Sequence, residues 1–340
     1  MRGLYTAALL QKLTTSFHGT DLDIGSGFDL IVGTSTGAIL AAGLAAGVPL
    51  AKIVELYAHE GKRIFTDPMP DHSQWLSLVG WLRRNVNKPA NSAEHLKNVL
   101  DRLFGAETLG ELYRRRGIAL CITSVDLLKE TARVFKTGHV NGKVMDDALR
   151  IRDVCLASAA APVFLPLVHI EEASVFVDGG LWANNPIMVA LVEALEIAED
   201  RDIEIVSIGT CPAPAGTVIS KSELNRGLWG WLFNTKTLSV SMNAQAHGSN
   251  NIAKLLQPHL SKNGRSVTIA RLPQTAPSLD HSKYLKLDQA SDKAITAFQQ
   301  LGQADAVATY QLCQSGSHEG RLIKTAFEQI PHRQEANTHV

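Results

Sequence analysis

Residues 28–42 read Phe-Asp-Leu-Ile-Val-Gly-Thr-Ser-Thr-Gly-Ala-Ile-Leu-Ala-Ala: an apolar run of strand length, a turn of small residues, then an apolar helical run. A strand that feeds directly into a helix through a tight turn is the building unit of layered α/β folds. Further short apolar runs bounded by turn residues predict strands at Ile118 to Ser124, Val175 to Val177 and Ile203 to Ile208. Helical patterns alternate with them at Gly37 to Ala46, Leu50 to Gly61, Ala93 to Phe104 and Asn185 to Glu199, with several more after Lys236. The expectation is an α/β fold of three layers, a mostly parallel central sheet flanked by helices. No internal repeat or low-complexity block divides the chain. One domain is therefore expected over 1–330, with a polar tail over 331–340.

Composition excludes several function classes. Lys plus Arg and Asp plus Glu both number 33 in 340 residues, so the net charge is zero and no nucleic-acid partner is implied. Cys121, Cys155, Cys211 and Cys313 are scattered, without a CxxC or Cys/His cluster. That argues against structural zinc and a disulfide framework and fits a reducing, cytoplasmic setting. No ligand set at coordination spacing stands out, so neither metal nor cofactor is expected. The longest apolar candidate, Ala38 to Leu50, is shorter than the roughly 18 to 20 residues a membrane span needs. Met1 to Leu10 reads as a helix start rather than a signal peptide.

Two segments carry chemistry. Gly33-Thr34-Ser35-Thr36-Gly37 lies between the strand and the helix, where small flanking residues let the backbone turn sharply and expose a serine hydroxyl above the sheet. The helix start then aims free amides and its positive dipole end at developing negative charge. A bare GxSxG also occurs by chance as a small-residue turn; its strand and helix context favours the nucleophile. The second segment is Asp178-Gly179-Gly180-Leu181-Trp182-Ala183-Asn184-Asn185-Pro186, in which an aspartate ends a strand and two glycines permit close approach of another loop. Alone, Asp-Gly-Gly is an ordinary turn. Paired with the elbow, it becomes a candidate base, because in open parallel sheets chemistry gathers beyond the carboxyl ends of strands.

Together these segments resemble the two signature motifs of the patatin-like phospholipase family, in the right order. Thr123-Ser124-Val125-Asp126 with Thr131-Ala132-Arg133-Val134-Phe135 is similar to that family's paired central strands, and Ala157 to Pro162 to its approach to the aspartate. The resemblance implies a Ser35–Asp178 dyad without histidine, acting on carboxylic esters of membrane lipids through an acyl-enzyme. A carboxylate with a reference pKa of about 3.9 is a weak base, so a dry, apolar surrounding is expected around Asp178.

The family also carries a Gly-Gly-Gly-x-Arg-Gly loop whose amides form the oxyanion hole. Arg2-Gly3 resembles its end, which puts the first strand and the three glycines before residue 1 and leaves the Thr36 amide as donor. Two readings stay open: a chain that starts further upstream, or a homologue that holds lipid without turning it over. A conventional triad with His281 or His259 is a competing reading. A further one is a phospholipase effector switched on by a cyclic dinucleotide, with a control site between Lys221 and Gln274 that draws on Arg226, Lys236 and Arg271.

Four of the five tryptophans fall in two stretches, Pro68 to Pro89 and Gly227 to Phe233. In the first, Trp75, Leu76, Leu78, Val79, Trp81 and Leu82 precede Arg83, Arg84 and Lys88, which suits either transient contact with a membrane surface or plain core packing.

Overall fold

The computed structural model describes residues 1–18, 22–70, 74–140, 145–170, 174–212, 219, 224–225, 236–262, 264–282 and 284–333. The Gly227 to Phe233 stretch and Arg226 lie outside the described residues.

The first helix, α1 (Gly3–His18), buries Leu4, Tyr5, Leu9, Leu10 and Leu13 at the centre of the main core. It then leads to β1 (Leu30–Thr34) and α2 (Thr36–Ala45), the strand, turn and helix expected around Ser35. Next come α3 (Leu50–Glu55), a π-helical turn over Leu56–Glu60, α4 (Gly61–Ile64), α5 (Trp75–Asn85), α6 (Glu94–Phe104) and α7 (Leu109–Arg116). Thr108 and Glu111 start α7 with a reciprocal capping box, and Gly117 ends it in the left-handed conformation that glycine adopts without strain. The strands β2 (Ala119–Asp126) and β3 (Thr131–Lys136), the helix α8 (Ile151–Ser158), and β4 (Val168–His169) and β5 (Val175–Asp178) complete the main sheet. Then follow α9 (Gly180–Ala183), α10 (Ile187–Ala198), β6 (Ile203–Ser207), the long helix Lys236–Leu260, β7 (Val267–Arg271) and the helices Leu279–Ser282, Asp292–Gln314 and His318–Glu328.

The layering is α/β as expected, but strand directions are mixed. β1 and β2 pair in parallel, as do β6 and β7, whereas β2–β3, β2–β5 and β4–β5 are antiparallel. The four residues between β2 and β3 make a hairpin, which forces opposite directions. The helix expected over Leu50 to Gly61 is interrupted by the π-helical turn, which sets the ring of Tyr57 against Gly3 and its hydroxyl against the Thr36 carbonyl at 2.5 Å.

The register of β2 explains how the two motifs meet. β3 covers residues 121–126 along one edge of β2. The other edge is shared: β1 runs up it until Thr34 stands opposite Thr123, and β5 comes down it until Asp178 stands opposite Ser124. The carboxyl ends of β1 and β5 therefore meet head to head at adjacent positions of a single strand. This replaces the side-by-side parallel strands expected from the sequence.

Candidate active site

Ser35 occupies the elbow with φ 55° and ψ −126°, a region L residues rarely adopt, so the turn is strained. The packing that holds it there is tight. A Cβ on Gly33 would stand 2.4 Å from the Gly37 carbonyl oxygen and 2.7 Å from the Ala41 methyl group. The amide of Ser35 donates to Ser158 Oγ at 2.8 Å, which ties the elbow to the end of α8. Thr34 Oγ1 donates to the Ala183 carbonyl at 2.7 Å and accepts from Thr123 Oγ1 at 2.7 Å, which fastens the elbow to α9 and β2.

Asp178 is fixed by the opposite strand end. Its amide donates to the Ala160 carbonyl and that of Gly179 to the Ser158 carbonyl, so Ser158 and its neighbours hold both halves of the site. Gly179 is required sterically, because a Cβ there would meet the Thr123 carbonyl oxygen at 2.3 Å. Asp178 Oδ1 accepts from the Gly180 amide at 2.7 Å, and Oδ2 accepts from Ser35 Oγ at 2.6 Å. The carboxyl is buried. Burial pushes its pKa up from 3.8 to about 6, against the smaller opposing pull of the hydrogen bonds from Ser35 and Gly180. The dry environment expected for a carboxylate base is thus present.

Ser35 and Asp178 open onto a cavity of about 1460 Å³, lined largely by apolar residues that include Leu30, Val32, Leu40, Phe164 and Ile205. β1 and β6, each paired on one side only among the described residues, both face it. Asn184 and Asn185 hold the segment after Asp178 against the long helix, through the Asn184 amide to Gln245 Oε1 at 2.9 Å and Asn185 Nδ2 to the Ala246 carbonyl at 3.2 Å. Arg2 lines the cavity with its Nε buried and unpaired, and Gly3 packs against Tyr57. Gly37 faces open space.

Neither histidine of the triad reading reaches the dyad. His281 is exposed and bonded to Ser278 Oγ through Nδ1 at 2.7 Å, His259 is exposed on the long helix, and neither lines the cavity. Sequence reasoning missed Tyr57 and the supporting role of Ser158. Tyr57 gave no signal, since a π-helical turn has no composition cue, whereas Ser158 stood inside the segment quoted for the approach to the aspartate.

A strained serine elbow bonded to a buried carboxylate above an apolar cavity has the make-up of a serine ester hydrolase site. The chain matches the Patatin family, described as patatin-like phospholipase, over residues 1–191, and it belongs to that family. It is 32% identical over 324 residues to the cGAMP-activated phospholipase of Pseudomonas aeruginosa, covering 91% of this chain and 91% of the relative. It is 30% identical over 311 residues to the protein of the same name from Escherichia coli, covering 86% and 82%. With that from Vibrio cholerae it shares 29% over 264 residues, covering 72% of each. Among the described residues no helix is long and apolar enough to cross a membrane.

Proposed function

We propose that this chain hydrolyses carboxylic esters of membrane lipids, as a phospholipase A or lysophospholipase, through a Ser35 acyl-enzyme with Asp178 as general base. The observation that carries the reading is the 2.6 Å hydrogen bond from Ser35 Oγ to a buried carboxylate whose pKa lies near 6. Asp178 takes the hydroxyl proton as Ser35 Oγ attacks the ester carbonyl, then passes it to the departing alcohol oxygen. Water, deprotonated by Asp178, next attacks the acyl-serine; the fatty acid leaves and Ser35 regains its proton. The Ser35 amide is occupied by Ser158, and the first turn of α2 offers the oxyanion its donors, with the Thr36 amide foremost and the helix dipole behind it. The apolar cavity takes the acyl chain.

Membrane contact falls to α5. Its inner stripe, Leu78, Trp81 and Leu82, faces the protein, and Trp81 Nε1 donates to the Asp67 carbonyl at 3.0 Å. Its outer face leaves Trp75, Leu76 and Val79 at 65%, 69% and 39% exposure, with Val86 at 75% just beyond its end and Arg83, Arg84 and Lys88 exposed beside them. Apolar groups rimmed by cations suit a surface of anionic headgroups. The chain beyond α5 bonds to a residue that lines the cavity, the Asn91 amide donating to the Phe164 carbonyl at 3.0 Å. All four cysteines are free thiols, which favours a cytoplasmic, peripheral enzyme.

Three relatives bear the name cGAMP-activated phospholipase, and on that likeness we propose that a cyclic dinucleotide raises the activity of this chain. Fatty acid release from mixed phospholipid vesicles, with and without cGAMP, tests the whole reading. Release that disappears in Ser35→Ala and Asp178→Asn, both folded, supports the dyad, and no release under either condition refutes hydrolysis. Trp75→Ala with Val79→Asp should keep turnover of a soluble short-chain ester and lose turnover of vesicles; equal retention of both removes the docking role of α5.

A further inference from the structure

The scattered cysteines and histidines gave no metal motif in the sequence, yet the fold gathers three of the donors away from the dyad. Cys121 on β2, His139 just after β3 and Glu193 on α10 offer ligand atoms that all lie within 4.8 Å of one another. The three come from separate elements, and no helix repeat or turn motif requires their meeting. Cys121 is fully buried, and the side chains of His139 and Glu193 are 1% and 9% exposed.

From this geometry we propose that Cys121, His139 and Glu193 form a binding site for a divalent transition metal of the Zn²⁺ class. A thiolate, an imidazole and a carboxylate form the mixed donor set that borderline-soft ions such as Zn²⁺ and Co²⁺ select over Mg²⁺ or Ca²⁺. Metal bonds of about 2.0–2.3 Å place tetrahedral ligand atoms roughly 3.5 Å apart, so small side-chain adjustments close the site around an ion. His139 Nε2 and Glu193 Oε2 already stand 3.1 Å apart. The other ring nitrogen, Nδ1, lies 2.8 Å from Thr137 Oγ1, which also accepts from the Leu120 amide at 3.0 Å. With an ion on Nε2 the ring carries its proton on Nδ1 and donates to that hydroxyl, the outer partner that metal-bound histidines characteristically have.

Lys136 holds the place of the ion in its absence. Its Nζ lies 2.7 Å from Glu193 Oε1, and its side chain is 26% exposed, so the ammonium can withdraw into solvent as the metal enters. The exchange balances: the Cys121 thiol gives its proton to solvent and becomes a thiolate, Lys136 leaves Glu193, and a dication takes up both anionic ligands. Because α10 follows the Asp178-Gly179-Gly180 segment, the bound ion ties that helix to β2 and to the end of β3 without touching the reacting groups. It acts as a structural clamp.

The test uses the full-length protein stripped with chelator and titrated with Co²⁺. One equivalent is expected to bind with the thiolate-to-cobalt charge-transfer band, release about one proton and raise Tm, and Zn²⁺ should displace it. Cys121→Ser should lose the band while Cys313→Ser, a second buried thiol, keeps it. Lys136→Met, which removes only the competitor, should bind at least tenfold more tightly, and this arm remains decisive if Cys121→Ser does not fold. Absence of the band in the wild-type chain, a band that survives Cys121→Ser, or an affinity unchanged in Lys136→Met overturns the site and leaves a buried Lys136–Glu193–His139 ion network.

Discussion

Ser35 Oγ donates to Asp178 Oδ2 at 2.6 Å because β1 and β5 end against each other on one edge of β2, at the positions opposite Thr123 and Ser124. Groups 143 residues apart in the chain are thereby made neighbours by hydrogen-bond register, not by loop placement. Replacing Asp178 by Asn removes the proton acceptor while the shape is kept. Ester turnover should fall by about 10² to 10⁴, the range of general-base contributions. Ser35→Ala should abolish the acyl-enzyme burst altogether; a burst that survives would move the nucleophile elsewhere.

The pH profile follows from the same burial. On the proposed mechanism Asp178 acts as a base only when ionised, and its pKa is raised to about 6. The kcat/KM for a soluble ester is therefore expected to rise tenfold per pH unit below about 6 and to level off above it. A limb placed near pH 4 would mean that the carboxyl is solvated in the working enzyme.

Stability should carry the opposite signature. Folding raises the Asp178 pKa from 3.8 to about 6, so the native state holds its proton more firmly than the unfolded chain. Stability is then full below about pH 4 and declines as pH rises through about 6. Above that range the buried charge costs on the order of 3 kcal/mol. Asp178→Asn should accordingly be more stable than wild type at pH 7 and nearly equal to it at pH 4, measured by urea unfolding. Equal stability at both values would count against the shift.

The glycines of the two motifs should behave unequally. Gly33→Ala and Gly179→Ala drive a methyl group into carbonyl oxygens at 2.4 and 2.3 Å and should each cost at least about 1–3 kcal/mol, with loss of turnover. Gly37→Ala meets nothing within 4 Å and lies in the first turn of α2, so it should be neutral or stabilising by up to about 1 kcal/mol. Thermal melts of the three variants distinguish steric need from mere membership of the motif.

His281→Ala should leave ester turnover within about twofold, since the ring is exposed and bonded to Ser278. A collapse would restore the histidine triad.

Much of this site was legible in the sequence because its parts are local. The strand, tight turn and helix around Ser35 and the strand end at Asp178 each follow from short patterns of apolar and small residues. Their meeting was expected too, but for a different reason, since side-by-side parallel strands were foreseen and β5 instead runs antiparallel to β2. Strand direction depends on pairings between segments far apart in sequence, which periodicity does not encode. The same applies to Tyr57, whose hydroxyl reaches Thr36 only through a π-helical turn, and to Cys121, His139 and Glu193, whose spacing of 18 and 54 residues matches no metal motif.

The shared edge of β2 also bears on control. Ser35 and Asp178 hang from one continuous strand, so sliding of a helix layer or displacement of a surface segment would carry them together and leave their separation intact. An effector acting on such an enzyme has little leverage over the assembly of the dyad. Under the proposed activation by a cyclic dinucleotide, its leverage would lie in admitting substrate to the preformed Ser35–Asp178 pair, which makes entry to the cavity the expected point of regulation.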